Sequence, residues 1–167
     1  MEKIISGRAW VFGSNVDTDQ IYPGRFLSET DPDDVKVHAM AGIDPNFASR
    51  FRPGGLVVAG TNFGCGSSRE HAAVTLKAVG VSAVIAQSFA RIFFRNGINL
   101  GIPLIVCPDV LEKVKDGDML RLDLSRFILK NETSGRDLAC EPLGDYVLTI
   151  LEAGGIKPLL RAQYGRH

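Results

Sequence analysis

Leu56-Val57-Val58-Ala59-Gly60-Thr61-Asn62-Phe63-Gly64-Cys65-Gly66-Ser67-Ser68-Arg69-Glu70-His71-Ala72-Ala73 is the stretch whose reading decides the fold. The apolar run Leu56 to Ala59 follows the Arg52-Pro53-Gly54-Gly55 turn and reads as a strand buried on both faces. It passes directly into a glycine-rich loop. A helix then begins, announced by Ser67 and Glu70 at the spacing of a capping box, and continues through Ala72, Ala73, Leu76 and Val79 to a stop at Gly80. Outward from there, Val81 to Ala86 repeats the buried-strand pattern. A second helix is expected from about Phe89 to Asn96, ended by Gly97, and Ile102 to Val106 reads as a third strand. Strand, helix, strand, helix, strand in this order implies right-handed crossovers and an α/β fold, a parallel or mixed sheet with flanking helices.

Gly7 to Phe12 reads as a short strand ending at Gly13-Ser14-Asn15. The segment Asn15 to Asn46 is dense in Asp, Pro and Gly, which predicts a mobile or ligand-facing excursion with a short helix near Val35 to Met40. Downstream, Leu120, Leu122 and Leu124 alternate with charged residues and Phe127-Ile128-Leu129 follows, predicting antiparallel strands before a terminal helix at about Asp145 to Ala153. One domain spanning residues 1–167 is expected.

Nineteen Lys and Arg balance nineteen Asp and Glu, so the basic excess on which nucleic-acid and anionic-membrane binders depend is missing. Neither nucleic acid nor membrane is an expected partner. The longest apolar runs, Val79 to Ala86 and Gly101 to Pro108, fall short of the roughly 18 residues that cross a bilayer, and Met1-Glu2-Lys3 opens no signal peptide. A cytoplasmic location is the expectation. Cys65, Cys107 and Cys140 are odd in number and widely spaced, which offers neither a disulfide framework nor a metal knuckle. With only His38, His71 and His167 as imidazoles, no metal or other cofactor is expected to be bound by this chain.

The chemistry concentrates in Gly60 to Glu70. A glycine-rich loop between strand and helix gathers backbone N–H groups at the positive end of the helix dipole, where anions bind. It is no Walker A loop, because no Lys follows Gly66, and Arg69 stands where a dinucleotide fingerprint needs its third glycine. Arg69 in the first turn opposes the dipole, a cost more readily accepted when the guanidinium has a carboxylate or phosphate ligand. The alternative is that Ser67 and Ser68 only cap the helix and Arg69 makes a surface pair. Asp17-Thr18-Asp19-Gln20, with Arg25 beyond it, can shape the other wall of a polar cleft, though Asp-Thr-Asp more often makes Asx turns than catalytic sites. Cys65 has no identifiable histidine base, so a thiolate nucleophile is not expected.

Two blocks together carry a family resemblance. Gly60 to Ala73, followed by Gln87-Ser88-Phe89-Ala90-Arg91-Ile92-Phe93, resembles the signature of the swivel domain of the aconitase family, and Asp17-Thr18-Asp19-Gln20-Ile21 to Arg25-Phe26-Leu27 is similar to its other block. At this length the chain resembles the stand-alone small subunits of the 3-isopropylmalate dehydratase family. The resemblance implies a swivelling β/β/α domain with a substrate loop at about residues 15–46 and a catalytic core at about 56–107. It also implies a separate large subunit carrying a four-iron four-sulfur cluster, and a hydroxy di- or tricarboxylate as small-molecule substrate.

By motif position, Ser67 matches the family's catalytic serine, while Ser68, Arg69 and Arg25 match its substrate-binding residues. Asp19 matches an active-site acid, and His71 is placed beside it as a supporting residue. The implied reaction is reversible removal and readdition of water, isomerising a 2-hydroxy to a 3-hydroxy acid in leucine biosynthesis, with the partner's iron as Lewis acid. The loop after Arg25 sorts substrates in this family. Here it is Phe26-Leu27-Ser28-Glu29-Thr30, whose lack of a cation argues against a third substrate carboxylate. Homoaconitase, citraconate-forming and dimethylmalate dehydratase subunits are the neighbouring alternatives, and a cluster-free anion-binding module is the alternative of another class.

Overall fold

The computed structural model describes residues 1–165; Arg166 and His167, the latter one of the three histidines, lie outside the described residues. Seven strands form one mixed sheet: β1 (Ile4–Val11), β2 (Leu56–Ala59), β3 (Ala83–Ala86), β4 (Leu104–Val106), β5 (Met119–Asp123), β6 (Ile128–Asn131) and β7 (Arg136–Ala139), in the order β4-β3-β2-β1-β5-β6-β7. β1 divides the sheet. It pairs parallel with β2, Ala9 opposite Leu56, and antiparallel with β5, Gly7 opposite Leu120. Around the sheet lie α1 (Thr18–Ile21), α2 (Pro32–Val35), α3 (Phe47–Arg50), α4 (Glu70–Val79), α5 (Arg91–Asn99), α6 (Val110–Lys113), α7 (Asp145–Ala153) and α8 (Ile156–Tyr164).

The central strands are apolar on both sides because each side covers a separate core. Val57, Ala59, Val84 and Ala86 face a cluster built with Leu76 of α4, Phe93 and Ile98 of α5 and Leu151 of α7. Leu56, Val58, Ala83 and Ile85 face a second cluster, where their partners are Leu120, Leu122, Leu129 and Leu138 of the antiparallel half. The sheet therefore curls over its own second core. Each fully buried leucine there contributes about 1.5–3 kcal/mol of apolar burial.

The expected α/β order holds, and the helix expected to end the chain runs Asp145–Ala153, closed by Gly154 in the left-handed conformation at φ 90°, but α8 follows it. The excursion from Asn15 to Asn46 is packed rather than loose. Ile21, Tyr22, Val35 and Met40 are buried, and Met40 N–H donates to the Ile21 carbonyl at 2.7 Å. Turn-forming residues there build short helices that wrap the sheet, so polar composition accompanies a largely anchored segment. β7 and α8 have no counterpart in the sequence reading. β7 shows little alternation, with only Leu138 buried among its four residues, and the Gly154-Gly155 break hides the start of α8.

Candidate active site

The loop after β2 is shaped by one buried ring. Phe63 is fully buried and packs edge-to-face on Phe93 at 5.2 Å, while Gly64, at φ 83°, lies where any Cβ would collide with the Phe93 ring. Hydrogen bonds sew the loop to the 15–19 block. Gly64 N–H donates to Val16 O at 2.7 Å, Thr18 N–H to Cys65 O at 2.8 Å, and the buried Thr18 hydroxyl to Ser67 O at 2.7 Å. It is sewn to the loop after β3 as well: Phe63 N–H donates to Ser88 O at 3.1 Å and Ala90 N–H to Phe63 O at 2.9 Å.

These ties bring two helix starts to one place. Ser67, Ser68 and Arg69 before α4, and Ala90 and Arg91 at the head of α5, line a cleft of about 370 Å³ together with Thr18 and Asn96. It opens beyond the carboxyl ends of β2 and β3, where ligands bind in open α/β sheets. The capping box read at Ser67 and Glu70 does not form. Arg69 is itself the N-cap residue, in extended conformation, and no side chain caps either α4 or α5. The serines are spared for the cleft, and both are exposed. The capping box lies instead at α1, where Asp17 Oδ1 accepts from Gln20 N–H at 2.8 Å and Gln20 Oε1 accepts from Asp17 N–H at 3.0 Å.

Arg69 is held by the Asp17–Gln20 block. Its Nη1 donates to Asp19 Oδ1 at 2.7 Å, and that oxygen also accepts from Gly24 N–H at 2.8 Å. The Arg69 hydrogen bond, then the Gly24 N–H, and the nearby charges of Arg69 and Arg25 hold the Asp19 carboxyl below the usual aspartate range. The guanidinium lies flat against Gly24, where an added Cβ would stand 3.2 Å from both terminal nitrogens.

Arg25 is exposed, with its guanidinium over the Phe26 ring at 4.6 Å, and it is not among the residues lining the cleft. Nor are Phe26, Leu27, Ser28, Glu29 and Thr30. Phe26 stacks on His38 at 3.6 Å, and the Glu29 carboxylate stands 2.8 Å from His38 Nε2. His71 lies behind the cleft: its Nε2 contacts the Glu29 carbonyl at 2.9 Å and its ring stacks on Tyr22 at 5.3 Å. Ser28 and Thr30 are exposed, and Leu27 is 37% exposed. His71 and His38 thus hold the segment 26–30 as a shelf beside the cleft.

Arg91 is the functional candidate that sequence reasoning missed. Among the described residues it has neither an ion pair nor a side-chain hydrogen bond, and it is exposed at the first position of α5. The signal was present: a cation at a helix start opposes the dipole there as Arg69 does. Two uncapped helix starts and two guanidiniums around exposed serine hydroxyls give the cleft a charge that suits a small di-anion.

The three thiols do not converge. Cys65 is half-buried in the loop beside Asp17, whereas Cys107 and Cys140 are buried in the second core, so the set does not fit an iron-sulfur cluster. Among the described residues no group of His, Cys, Asp and Glu side chains could hold a metal ion, and no helix is long and apolar enough to cross a membrane.

Comparison with known proteins gives the same neighbourhood by three routes. Residues 45–108 match the family described as the aconitase C-terminal domain. The chain is 50% identical over 163 residues to 3-isopropylmalate dehydratase small subunit 1 of Methanopyrus kandleri, covering 98% of this chain and 96% of that one. It is 51% identical over 156 residues to the methanogen homoaconitase small subunit of Methanothermobacter thermautotrophicus, covering 93% and 90%. The crystal structure of a 3-isopropylmalate dehydratase from Methanocaldococcus jannaschii superposes with a TM-score of 0.92 at 45% identity, covering 96% of this chain and 95% of that one.

Proposed function

This chain belongs to the 3-isopropylmalate dehydratase small-subunit family of the aconitase group, and from that premise we propose that its cleft forms one wall of a dehydratase active site completed by a large subunit. The reaction is interconversion of 2- and 3-isopropylmalate by loss and return of water. The single observation that carries this reading is the convergence of Ser67, Arg69 and Arg91 at two uncapped helix starts.

In this reading Ser67 Oγ takes the proton from the carbon next to a substrate carboxylate. A serine hydroxyl is far too weak an acid to be ionised near neutral pH, so the alkoxide needs help. The N–H dipoles of the α4 start and the neighbouring guanidinium supply it, already oriented before the substrate arrives. The same groups keep the proton close for its return. Arg69 holds one carboxylate through paired hydrogen bonds, with Asp19 fixing the guanidinium plane, and Ser68 donates beside it. Arg25, carried next to Gly24, adds a further cation when the segment 24–30 meets the large subunit.

The cluster belongs to that partner, since the thiols of this chain do not suit it, and departure of the hydroxyl is assigned to the partner's side of the cavity. The relative from Methanothermobacter acts, by its name, in homoaconitase. The segment Phe26 to Thr30 carries no cation to meet a third carboxylate when the large subunit closes over it, which favours a substrate with two.

The test is reconstitution with the large subunit under anaerobic conditions, comparing isopropylmalate, citramalate and homoaconitate. Ser67→Ala is expected to lower turnover at least a thousandfold while the subunits still assemble. Near-normal turnover removes Ser67 from the base role.

A further inference from the structure

β4 and β7 are the two ends of the seven-stranded sheet, yet the curl brings their C-terminal ends together. Glu141 N–H, just past β7, donates to the carbonyl of Val106, the last residue of β4, at 2.8 Å. Each strand is followed at once by a cysteine. Cys107 is fully buried and Cys140 is 9% exposed, and the Cys107 thiol approaches the Ala139 carbonyl at 3.6 Å. Both backbones are pinned, Cys107 N–H to Ala86 O and Cys140 N–H to Phe127 O, each at 2.9 Å. These ties place the two cysteines side by side at the seam of the sheet, both in the second apolar core.

We propose that Cys107 and Cys140 are an oxidisable pair whose disulfide staples the seam between the two ends of the sheet. This is independent of the role assigned to Ser67. The neighbouring Cys140 thiol, with help from the Asp109 N–H, holds the Cys107 thiol below the usual cysteine range. Cys140 is shifted up by the same contact and by burial. The two sulfurs thus have distinct parts to play, nucleophile and resolving thiol.

With a peroxide as oxidant, the Cys107 sulfur attacks one peroxide oxygen, the O–O bond breaks, and a sulfenic acid and water result. The Cys140 sulfur then attacks the Cys107 sulfur, the S–O bond breaks, and a second water leaves with the Cys140 proton. The sulfurs together lose two electrons and the peroxide gains them. Cys65 stands apart in the cleft loop and has neither of these thiols near it.

The experiment treats the folded full-length chain with hydrogen peroxide, traps remaining thiols by alkylation under denaturing conditions, and maps the peptides without reduction. The expected result is a Cys107–Cys140 cross-linked peptide that a phosphine reductant removes, and a midpoint of thermal unfolding raised by about 5–10 °C. Cys140→Ala is expected to lose both the cross-link and the rise. Failure to find that peptide in the oxidised wild-type chain, or a cross-link running through Cys65 instead, overturns the proposal. Because the mapping is done on the wild-type chain, the outcome does not depend on the variant folding.

Discussion

The buried hydroxyl of Thr18 donates to the carbonyl oxygen of Ser67 at 2.7 Å and so fixes the backbone of the cleft serine from a segment 49 residues away. The serine proposed to act and the side chain that holds its backbone belong to different blocks of the chain. A displacement of about 1 Å in a reacting group costs on the order of a hundredfold in rate, so this bond matters beyond its own energy.

Thr18→Val keeps shape and burial while removing the donor. Stability is expected to fall by about 1 kcal/mol, the net worth of one hydrogen bond. Turnover of the reconstituted complex should fall roughly tenfold or more, because the loop carrying Ser67 loses its aim. Chemical denaturation and steady-state kinetics measure the two effects, and an unchanged kcat would sever Thr18 from the cleft.

Arg91→Gln removes the unpaired guanidinium from the cleft without touching Asp19 or Arg69. KM for the dicarboxylate is expected to rise about tenfold or more, the scale of a lost charge-assisted hydrogen bond, with a smaller change in kcat. A monocarboxylate analogue should bind wild type and variant alike. Equal discrimination between the two ligands by both proteins would place Arg91 outside the substrate contacts.

The Asp19 carboxyl titrates below its ordinary range, so it is charged in the folded chain where the unfolded chain has begun to protonate. The sign follows directly: the Asp19–Arg69 pair stabilises fully above the ordinary carboxylate range, about pH 4, and its contribution is lost as pH falls through the depressed value. Carboxyl NMR is expected to place the Asp19 midpoint below that of exposed aspartates, and Arg69→Gln should return it toward them. An Asp19 titration at the ordinary position in the wild-type chain would contradict the pairing.

Gly64→Ala places a methyl group on a residue at φ 83° and against the Phe93 ring. Left-handed strain of about 1 kcal/mol and overpacking of about 1–3 kcal/mol add in the same direction, for a loss of roughly 2–4 kcal/mol. Urea unfolding with an unchanged m-value is the expected signature. Gly13→Ala, with open space around its Cβ and no positive φ, is the control and is expected to cost little.

Much of the central unit was legible in the sequence. β2, α4, β3, α5 and β4 lie in the expected order, and their boundaries move by only a few residues, as with β3 starting at Ala83 rather than Val81. The capping box was misread because the Ser67/Glu70 spacing is a local pattern, whereas the start of α4 is set by Arg69 reaching out to Asp19. Composition alone leaves the segment Asn15 to Asn46 as either mobile or ligand-facing. Its anchoring rests on Ile21, Tyr22 and Met40, a few buried residues among many polar ones.

Residue type and spacing were enough to determine a strand, a glycine-rich loop and a helix start able to receive an anion, because those features depend on periodicity and dihedral freedom within a dozen residues. They were also enough to carry the resemblance to a dehydratase subunit. Only the tertiary structure decided that Arg91 shares a cleft with Ser67, that Arg69 is paired with Asp19, and that Cys107 meets Cys140. Those meetings follow from crossovers and from a sheet curling over its own core, and the energy that selects them comes from contacts between residues far apart in the chain.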